Sequence, residues 1–173
     1  MMDRQSNEVF EVFDKEGNVL RTEKRGVVHR TGVLHKGIHG YLLDGKGMVF
    51  IQKRSMEKEN EPGKWDASIA EHLKPGESFE DAFVRGVKEE LGVEAKDVEK
   101  IGERENYFEK GEIKDRDWVG LFKGRIEGKI KLKKEEVARG KWIEKQELLK
   151  EMDERPESFT QWLLGDRKWV ELL

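Results

Sequence analysis

The alternation of apolar and polar positions predicts strands along the first two thirds of the chain. Two strands joined by a glycine-containing turn are predicted for EVFEVFDKEGNVL, and two longer ones for GVLHKGIHGYLLDGKGMVFIQKR. Further strands are predicted within VEKIGERENYF and RDWVGLFKGRI, and helices within SFEDAFVRGVKEELGV, KQELLKEM and PESFTQWLL. Because the helices are inserted among the strands and appended after them, the pattern predicts an α+β domain and not an alternating parallel βαβ sheet.

The segment SFEDAFVRGVKEELGV predicts a helix over about residues 78–91, with serine at its N-cap and glycine after its C-terminus. At about 100° per residue, its apolar side chains form one stripe, with Glu90 at the centre and Glu89 at the edge. A buried carboxylate costs several kcal/mol unless it has a cation, a hydrogen-bond network or a raised pKa. Gly86 lies in the same stripe, where glycine costs roughly 0.5–1 kcal/mol relative to alanine. This indicates that another group approaches closely there, or that a larger residue was lost.

Two interpretations of these acidic residues stay open. Arg85 could pair with Glu89 at the i,i+4 spacing and make a structural ion pair. Alternatively, adjacent carboxylates of one helical turn could bind a hard cation such as Mg²⁺, which prefers oxygen ligands and keeps waters for a phosphate substrate. The position of Glu90 within the apolar stripe favours the metal site.

Length and charge restrict the class of protein. The 173 residues suffice for one domain, expected over residues 1–173, with an N-terminal hairpin over about residues 8–28. The net charge of −3 and the interspersed signs argue against a nucleic-acid binder, and the lysine-rich segment KIKLKK alternates like a strand with a solvated face. With no apolar leader, no membrane-spanning stretch and no cysteine, we expect a cytoplasmic protein without a membrane partner. The five tryptophans leave a homodimer open.

The predicted helix and the loop before it resemble the Nudix box, G-x5-E-x7-R-E-U-x-E-E-x-G-U, in which U is an aliphatic residue. The matching positions are Glu77, Arg85, Val87, Glu89, Glu90, Gly92 and Val93. Two positions depart from the pattern, because Glu71 stands at the leading glycine and Gly86 at the glutamate after the arginine. The resemblance implies the Nudix fold, a mixed β-sheet sandwiched between α-helices. It also implies cleavage, with Mg²⁺ or Mn²⁺, of diphosphates linked to another moiety.

The resemblance further implies roles for individual residues. Glu89 and Glu90, with the backbone carbonyl of Ala70, would hold the metal ion. In the family, the glutamate missing here is commonly a metal ligand or helps to organise the attacking water, and Glu71 could supply a carboxylate instead. The candidates for the general base are Glu71, Glu135, Glu136 and Asp117.

Beyond the box, the chain resembles the type 1 isopentenyl-diphosphate isomerases over roughly residues 8–170. The segment FIQKRSMEKENEPGKWDASIAEHLKPGE is similar to their QRS…K…PG-W…S-C-G-H-P…GE pattern. This resemblance implies that Arg54 and Lys58 contact a diphosphate. It also implies a second divalent-metal site, with the ligands His29, His35, His72, Asp115 and Asp117.

The residue types of this second site also suit a metal ion on chemical grounds alone. Asp115 and Asp117 are two residues apart, so on a strand they point to the same face. Histidine together with carboxylate suits Zn²⁺, Mn²⁺ or Fe²⁺. The remaining histidine, His39, has no match in the pattern and is expected to be structural.

The catalytic cysteine of the isomerases is replaced by Ala70. Alanine has no titratable group and cannot act as a general acid or base, so isomerisation is the least favoured function. The favoured hypothesis is a metal-dependent hydrolase that cleaves a diphosphate linkage in a nucleoside diphosphate linked to another moiety, or in a similar small molecule. The alternative is a catalytically weakened Nudix domain that binds a diphosphate ligand, and Gly86 and Glu71 support it.

Overall fold

The computed structural model describes residues 7–58 and 60–173. Our expectation that the N-terminus carries no leader concerns residues 1–6 in part, and these lie outside the described residues. No helix in the described part of the chain is long and apolar enough to cross a membrane.

The N-terminal hairpin pairs strand β1 (Val9–Phe13) with strand β2 (Val19–Lys24) in antiparallel orientation. Helix α1 (Arg25–Thr31) follows at once and ends at Gly32, whose φ of 67° is left-handed. The hairpin is therefore shorter than predicted. Val28 packs from α1 into a small apolar cluster with side chains of β1.

A seven-stranded mixed sheet forms the centre of the domain. Its strands, in chain order, are β3 (His35–Leu43), β4 (Met48–Arg54), β5 (Trp65–Asp66), β6 (Ile69–His72), β7 (Glu94–Lys110), β8 (Ile113–Glu127) and β9 (Val137–Glu144). Strand β3 is central, since it runs parallel to β8 and antiparallel to β4 and β6. Strands β7 and β8 form a long antiparallel hairpin, and β9 pairs with β4.

Helices cover both faces of the sheet. They are α2 (Phe79–Leu91), α3 (Lys145–Glu154), α4 (Gln161–Gly165) and α5 (Arg167–Val170), with a short 3-10 turn at Pro156–Ser158. Because side chains alternate along a strand, β3 contributes Ile38 and Leu42 to the core under α2, and Tyr41 to the core under the C-terminal helices. The predicted α+β architecture, a mixed sheet between helices, is therefore confirmed.

The lysine-rich segment after β8 forms no strand, although residues 129–134 are all described. The predicted alternation is present, since Ile130 and Leu132 pack against the core under α2 while the lysines are exposed. The backbone N–H groups of Lys131 and Lys133 donate to the carbonyl oxygens at the C-terminus of α2, at 2.8 and 3.0 Å. The solvated face is present, but the segment forms no strand because these donors satisfy the end of a helix and not a neighbouring strand.

Candidate functional site

Helix α2 carries Glu90 on its buried face. The Ser78 hydroxyl accepts the N–H of Asp81 (3.1 Å) at the start of the helix, and Gly92 ends it with a φ of 64°. Between these caps, Val87 is fully buried and Glu90 is only 7% exposed. The Oε2 atom of Glu90 is buried and has no hydrogen-bond partner among the described residues. The structure therefore places a carboxyl group inside the apolar stripe, as predicted.

The surroundings of Glu90 raise the pKa of its carboxyl well above the ordinary value. Burial is the largest cause, because it disfavours the charged form. The neighbouring carboxyl groups of Glu71 and Glu136 act in the same direction, while the Lys58 ammonium acts against them. Carboxyl groups are thus crowded at the inner face of the helix, and a bound cation would favour the charged form of Glu90.

Side chains of strand β6 lie very close to the backbone of α2 at Gly86. A Cβ atom on this glycine would stand 2.9 Å from Cγ of Glu71 and 2.9 Å from Cγ2 of Ile69. Both distances are shorter than any ordinary contact of a Cβ atom. Of the two alternatives that the sequence leaves open, a close approach is therefore present, and the approaching groups are the side chains of Glu71 and Ile69.

Arg85 is the cation on this face of the helix. Its Nε and Nη2 donate to the two carboxylate oxygens of Glu77 at 2.7 and 3.0 Å. Its Nη1 lies 3.3 Å from an oxygen of Glu71 and 3.3 Å from an oxygen of Glu89. Glu89 is half exposed and also lies 3.5 Å from the Lys74 ammonium. The predicted ion pair between Arg85 and Glu89 is present.

The two glutamates predicted to share a metal ion therefore have different environments. Consecutive residues of a helix diverge by about 100° around its axis. Glu90 points into the core, whereas Glu89 points towards surface cations. The structure does not bring the two carboxylates together, and a ligand role for Glu89 would require it to leave Arg85 and Lys74.

The predicted phosphate contacts, Arg54 and Lys58, are both held by carboxylates. Lys58 pairs with Glu136 in a half-buried contact, and it is one of the charges that act on the buried carboxyl of α2. Arg54 donates from Nη1 to Asp66 (3.2 Å), and its guanidinium lies 5.1 Å from the centre of the Trp162 ring. Each side chain keeps further N–H donors that could bind an anion.

Three histidines and one aspartate converge at a second place. His29 of α1, His35 of β3, His72 of β6 and Asp115 of β8 each offer one ligand atom, and these atoms all lie within 4.8 Å of one another. The Nε2 atoms of His29 and His35 lie 3.6 and 3.3 Å from Oδ1 of Asp115. Four separate elements of the fold thus supply the four side chains, which only the tertiary structure brings together.

The atoms that face one another in this histidine cluster lack hydrogen bonds. Nε2 of His29, Nε2 of His35 and Oδ1 of Asp115 are buried without a partner among the described residues. Leaving such a group unsatisfied costs about 1–3 kcal/mol. Burial lowers the pKa of His29 to about 4 and that of His72 well below its ordinary value, so both rings are held neutral. Neutral imidazole is the form that binds metal ions, and the residues therefore fit a divalent cation.

Asp117 was predicted as a fifth ligand of this cluster, and that role stays a prediction. Its Oδ1 accepts a hydrogen bond from the Asn106 amide at 2.9 Å, and Oδ2 would lie 2.9 Å from a Cβ atom on Gly37. It is not among the four side chains that converge in the described structure. Asp117 is buried and lies opposite His35 in the register of β8 against β3, about 6.6 Å along the strand from Asp115.

Phe10 belongs to the histidine cluster without any sequence signal for it. Its ring centroid lies 5.9 Å from that of His29, 5.3 Å from that of His35 and 4.7 Å from that of His72. Strand β1 therefore covers the cluster. The alternation of polar and apolar residues predicts that Phe10 points inwards, but it does not reveal what lies beneath.

Asp166 is a second residue without a sequence signal. It is fully buried and accepts hydrogen bonds from His39 Nδ1, the Tyr41 hydroxyl and Arg104 Nε, each at 2.6 Å. Burial disfavours the charged forms of both His39 and Asp166. Their mutual attraction nevertheless raises the pKa of His39 and lowers that of Asp166. His39 thus has a buried structural partner, in line with the prediction. The two residues are separated by 127 positions, so no local pattern could pair them.

Comparison with known proteins shows the family. Residues 33–163 match the NUDIX domain, and the chain therefore belongs to the NUDIX domain family. An isopentenyl-diphosphate Delta-isomerase of Paenarthrobacter aurescens is 30% identical over 161 residues, which cover 91% of this chain and 88% of that protein. An uncharacterized Nudix hydrolase of Clostridium acetobutylicum is 34% identical over 157 residues, which cover 86% of this chain and 75% of that protein.

Solved structures agree on the fold. A Deinococcus radiodurans protein superimposes with a TM-score of 0.77 at 18% identity, over 94% of this chain and 99% of that one. A MutT NUDIX hydrolase from Burkholderia pseudomallei gives a TM-score of 0.63 at 14% identity, over 78% of this chain and 96% of that one. The predicted family and fold are confirmed. The relatives include proteins named for two different reactions, so the choice of reaction rests on the residues of the site.

Proposed function

We propose that the protein is a metal-dependent Nudix-type hydrolase that cleaves a diphosphate linkage in a small molecule. The substrate class is a nucleoside diphosphate linked to another moiety, or a similar diphosphate. The observation that carries the proposal is the buried carboxyl of Glu90, whose Oε2 has no hydrogen-bond partner among the described residues. In a structural role, such a group would be satisfied by the protein itself.

The surroundings of Glu90 fit a hard divalent cation. The proposed ligands are Glu90 and the backbone carbonyl of Ala70, which precedes Glu71 on strand β6. Mg²⁺ prefers oxygen ligands, is bound through one or two carboxylates and keeps several waters. A Mg²⁺ or Mn²⁺ ion there would supply charge neutralisation on the phosphates and a lower pKa for the attacking water.

The side chains around Glu90 have distinct proposed tasks. Lys58 and Arg54 would bind phosphate oxygens through charge-assisted hydrogen bonds, since both are already oriented by carboxylates. Arg85 would position acidic side chains and would not contact the substrate, because Glu77 engages its guanidinium through both oxygens.

The candidates for the general base differ in their surroundings. Glu71 lies beside the buried carboxyl of α2, and Glu136 lies next to it in a pair with Lys58. Glu135 is exposed, and Asp117 is buried beside Asn106. A base must reach the water that it activates, within about 2.6–3.2 Å or through one further water. Glu71 and Glu136 therefore suit this task better than the other two.

The histidine cluster is the proposed second divalent-metal site. Three imidazoles and one carboxylate suit Zn²⁺, Mn²⁺ or Fe²⁺ better than Mg²⁺. An ion there would join α1, β3, β6 and β8. Strand β6 carries His72 on one face and Glu71, the preceding residue, on the other. The second site would therefore fix the strand that presents Glu71 to the first.

Two other functions have specific support. Gly86 in place of the box glutamate supports a domain that binds a diphosphate without hydrolysing it. Similarity to proteins named isopentenyl-diphosphate isomerases supports isomerisation, but Ala70 offers no acid or base at the position of their cysteine.

One experiment separates the three functions. The protein is incubated with Mg²⁺ or Mn²⁺ and a panel of nucleotide sugars, nucleoside di- and triphosphates, dinucleoside polyphosphates and prenyl diphosphates. Release of phosphate, pyrophosphate or a nucleoside monophosphate is expected for one class, and Glu90→Gln should abolish it while the exposed control Glu80→Gln does not. Tight binding without release would favour the binding domain. Interconversion of the two five-carbon diphosphates, followed by NMR, would favour the isomerase.

A further inference from the structure

The two departures from the Nudix box lie side by side in the structure. Glu71 stands where the box has glycine, and Gly86 stands where the box has glutamate. The side chain of Glu71 runs across the backbone of Gly86, with Cγ 2.9 Å from the position of a Cβ atom there. A side chain on residue 86 and the present side chain of Glu71 would therefore compete for the same space.

We infer that Glu71 supplies the carboxylate that the Nudix box normally carries at position 86. Compared with the box pattern, the glutamate is on the neighbouring strand instead of the helix, and the glycine is on the helix instead of the strand. The inference rests on the proposed function of the Glu90 site and deepens it by naming a second carboxylate ligand of the same cation, so that Glu136 is the remaining favoured candidate for the general base.

The location of Glu71 relative to Glu90 supports this role. Position 86 is four residues before Glu90, so both lie on one face of α2, one helical turn apart. A carboxyl group lying over Gly86 therefore lies beside Glu90, and the charge of Glu71 acts on Glu90 directly. Without Glu71, this face of the helix would offer the ion only one side-chain ligand.

Arg85 holds Glu71 in this place. The Nη1 atom of Arg85 lies 3.3 Å from Oε2 of Glu71, and the Glu71 side chain is 24% exposed. Because Glu77 fixes the guanidinium through two hydrogen bonds, Arg85 is a rigid anchor. Glu71 is thus enclosed between the anchor and Glu90, with enough exposure for a substrate phosphate to approach.

The competition for space gives a direct test. Mg²⁺ binding is measured by titration calorimetry for the wild type, Glu71→Gln, Glu90→Gln, Gly86→Glu, and the exchanged variant with both Glu71→Gly and Gly86→Glu. Mg²⁺ is the probe because it demands oxygen ligands, so the imidazole-rich histidine cluster contributes little. Glu80→Gln, an exposed residue of the same helix, is the control.

Glu71→Gln is expected to weaken Mg²⁺ binding by at least about 10-fold. Gly86→Glu alone should also weaken it, because two glutamates cannot share the space, and the exchanged variant should recover affinity to within about 3-fold of the wild type. Ile69 keeps its contact with position 86, so folding is checked by circular dichroism. If the exchanged variant does not fold, the Mg²⁺ affinity of Glu71→Gln alone tests the inference.

The outcomes separate the inference from the proposed function. Wild-type affinity in Glu71→Gln, together with lost affinity in Glu90→Gln, would overturn the inference and leave the hydrolase proposal standing. A folded exchanged variant that binds Mg²⁺ no better than Glu71→Gln would overturn the inference as well. A wild-type protein that neither binds Mg²⁺ nor turns over any diphosphate would overturn both.

Discussion

Phe10 of the N-terminal hairpin stacks on His35, with ring centroids 5.3 Å apart and ring planes at 5°. Because Phe10 also contacts the other two histidines of the cluster, the hairpin closes the proposed second metal site from outside. Entry and exit of an ion would therefore require β1 to move.

Phe10→Ala is expected to open this path. The variant should lose a bound Zn²⁺ or Mn²⁺ to an added chelator at least about 10 times faster than the wild type, because the aromatic cover is gone. The measurement follows metal release optically, with a chromogenic chelator in excess. Phe10→Leu is the matched control, since it keeps an apolar cover, and equal release rates in Phe10→Ala and the wild type would contradict the covering role.

The four-ligand arrangement distinguishes two aspartates that the sequence treats alike. Asp115→Asn should abolish the stabilisation by added Zn²⁺ or Mn²⁺, whereas Asp117→Asn should keep most of it, because Asp115 is the aspartate whose carboxylate converges with the three histidines in the described structure. Binding at 100 times the dissociation constant stabilises a protein by about 2.7 kcal/mol. Thermal unfolding with and without metal measures the effect. Equal losses in the two variants would favour the five-ligand prediction.

The buried pair of His39 and Asp166 gives a pH-dependent contribution to stability. Since the pKa of His39 is raised above 6.5, its contribution is complete below pH 6.5 and is lost as the pH rises through the raised pKa. Since the pKa of Asp166 is lowered from 3.8, its contribution is complete above pH 3.8 and is lost as the pH falls through the lowered pKa. The pair therefore stabilises fully between about pH 4 and pH 6.5.

Asp166→Asn should destabilise the fold by about 3–5 kcal/mol within that window, because it leaves a buried cation without its partner. Denaturant unfolding at several pH values checks this, with the surface substitution Glu80→Gln as control. The gap between wild type and variant should narrow above pH 6.5. A gap that widens with rising pH would show that the ion pair does not operate.

Gly86→Ala tests the close approach of β6 to the helix. In an open helix the substitution would stabilise by about 0.5–1 kcal/mol. Here the new methyl group would meet Glu71 and Ile69 at 2.9 Å, and overpacking costs about 1–3 kcal/mol. A net loss of about 1–2 kcal/mol is expected in urea unfolding. A gain in stability would mean that the space beside Gly86 is open.

The helix and its buried glutamate could be predicted from the sequence because they depend on local rules. The 3.6-residue period placed Glu90 among apolar side chains, and the cap residues fixed the ends of α2 within a residue. The Nudix-box pattern likewise allowed the family to be predicted from the sequence. A close contact at Gly86 was one of the two alternatives drawn from the sequence. Its partners, Glu71 and Ile69, could not be predicted because they belong to strand β6 and not to the helix.

The features that the sequence does not reveal involve contacts between distant elements. Asp115 and Asp117 share a face of β8, and the sequence does not reveal that Asp115 converges with three histidines while Asp117 accepts a hydrogen bond from Asn106. The segment of residues 129–134 has the alternation of a strand, but its N–H groups bind the end of α2. In both the aspartate pair and residues 129–134, tertiary contacts decide the outcome. A short stretch of sequence does not contain the information needed to predict these contacts.

The central claim is that Glu90 is buried because a divalent cation binds its carboxylate. The most direct measurement is the Mg²⁺ affinity of the wild type and of Glu90→Gln by titration calorimetry, with circular dichroism to show that both are folded. The claim predicts that the wild type binds Mg²⁺ and that Glu90→Gln binds it at least about 100-fold more weakly. Equal affinity in the two proteins would contradict it.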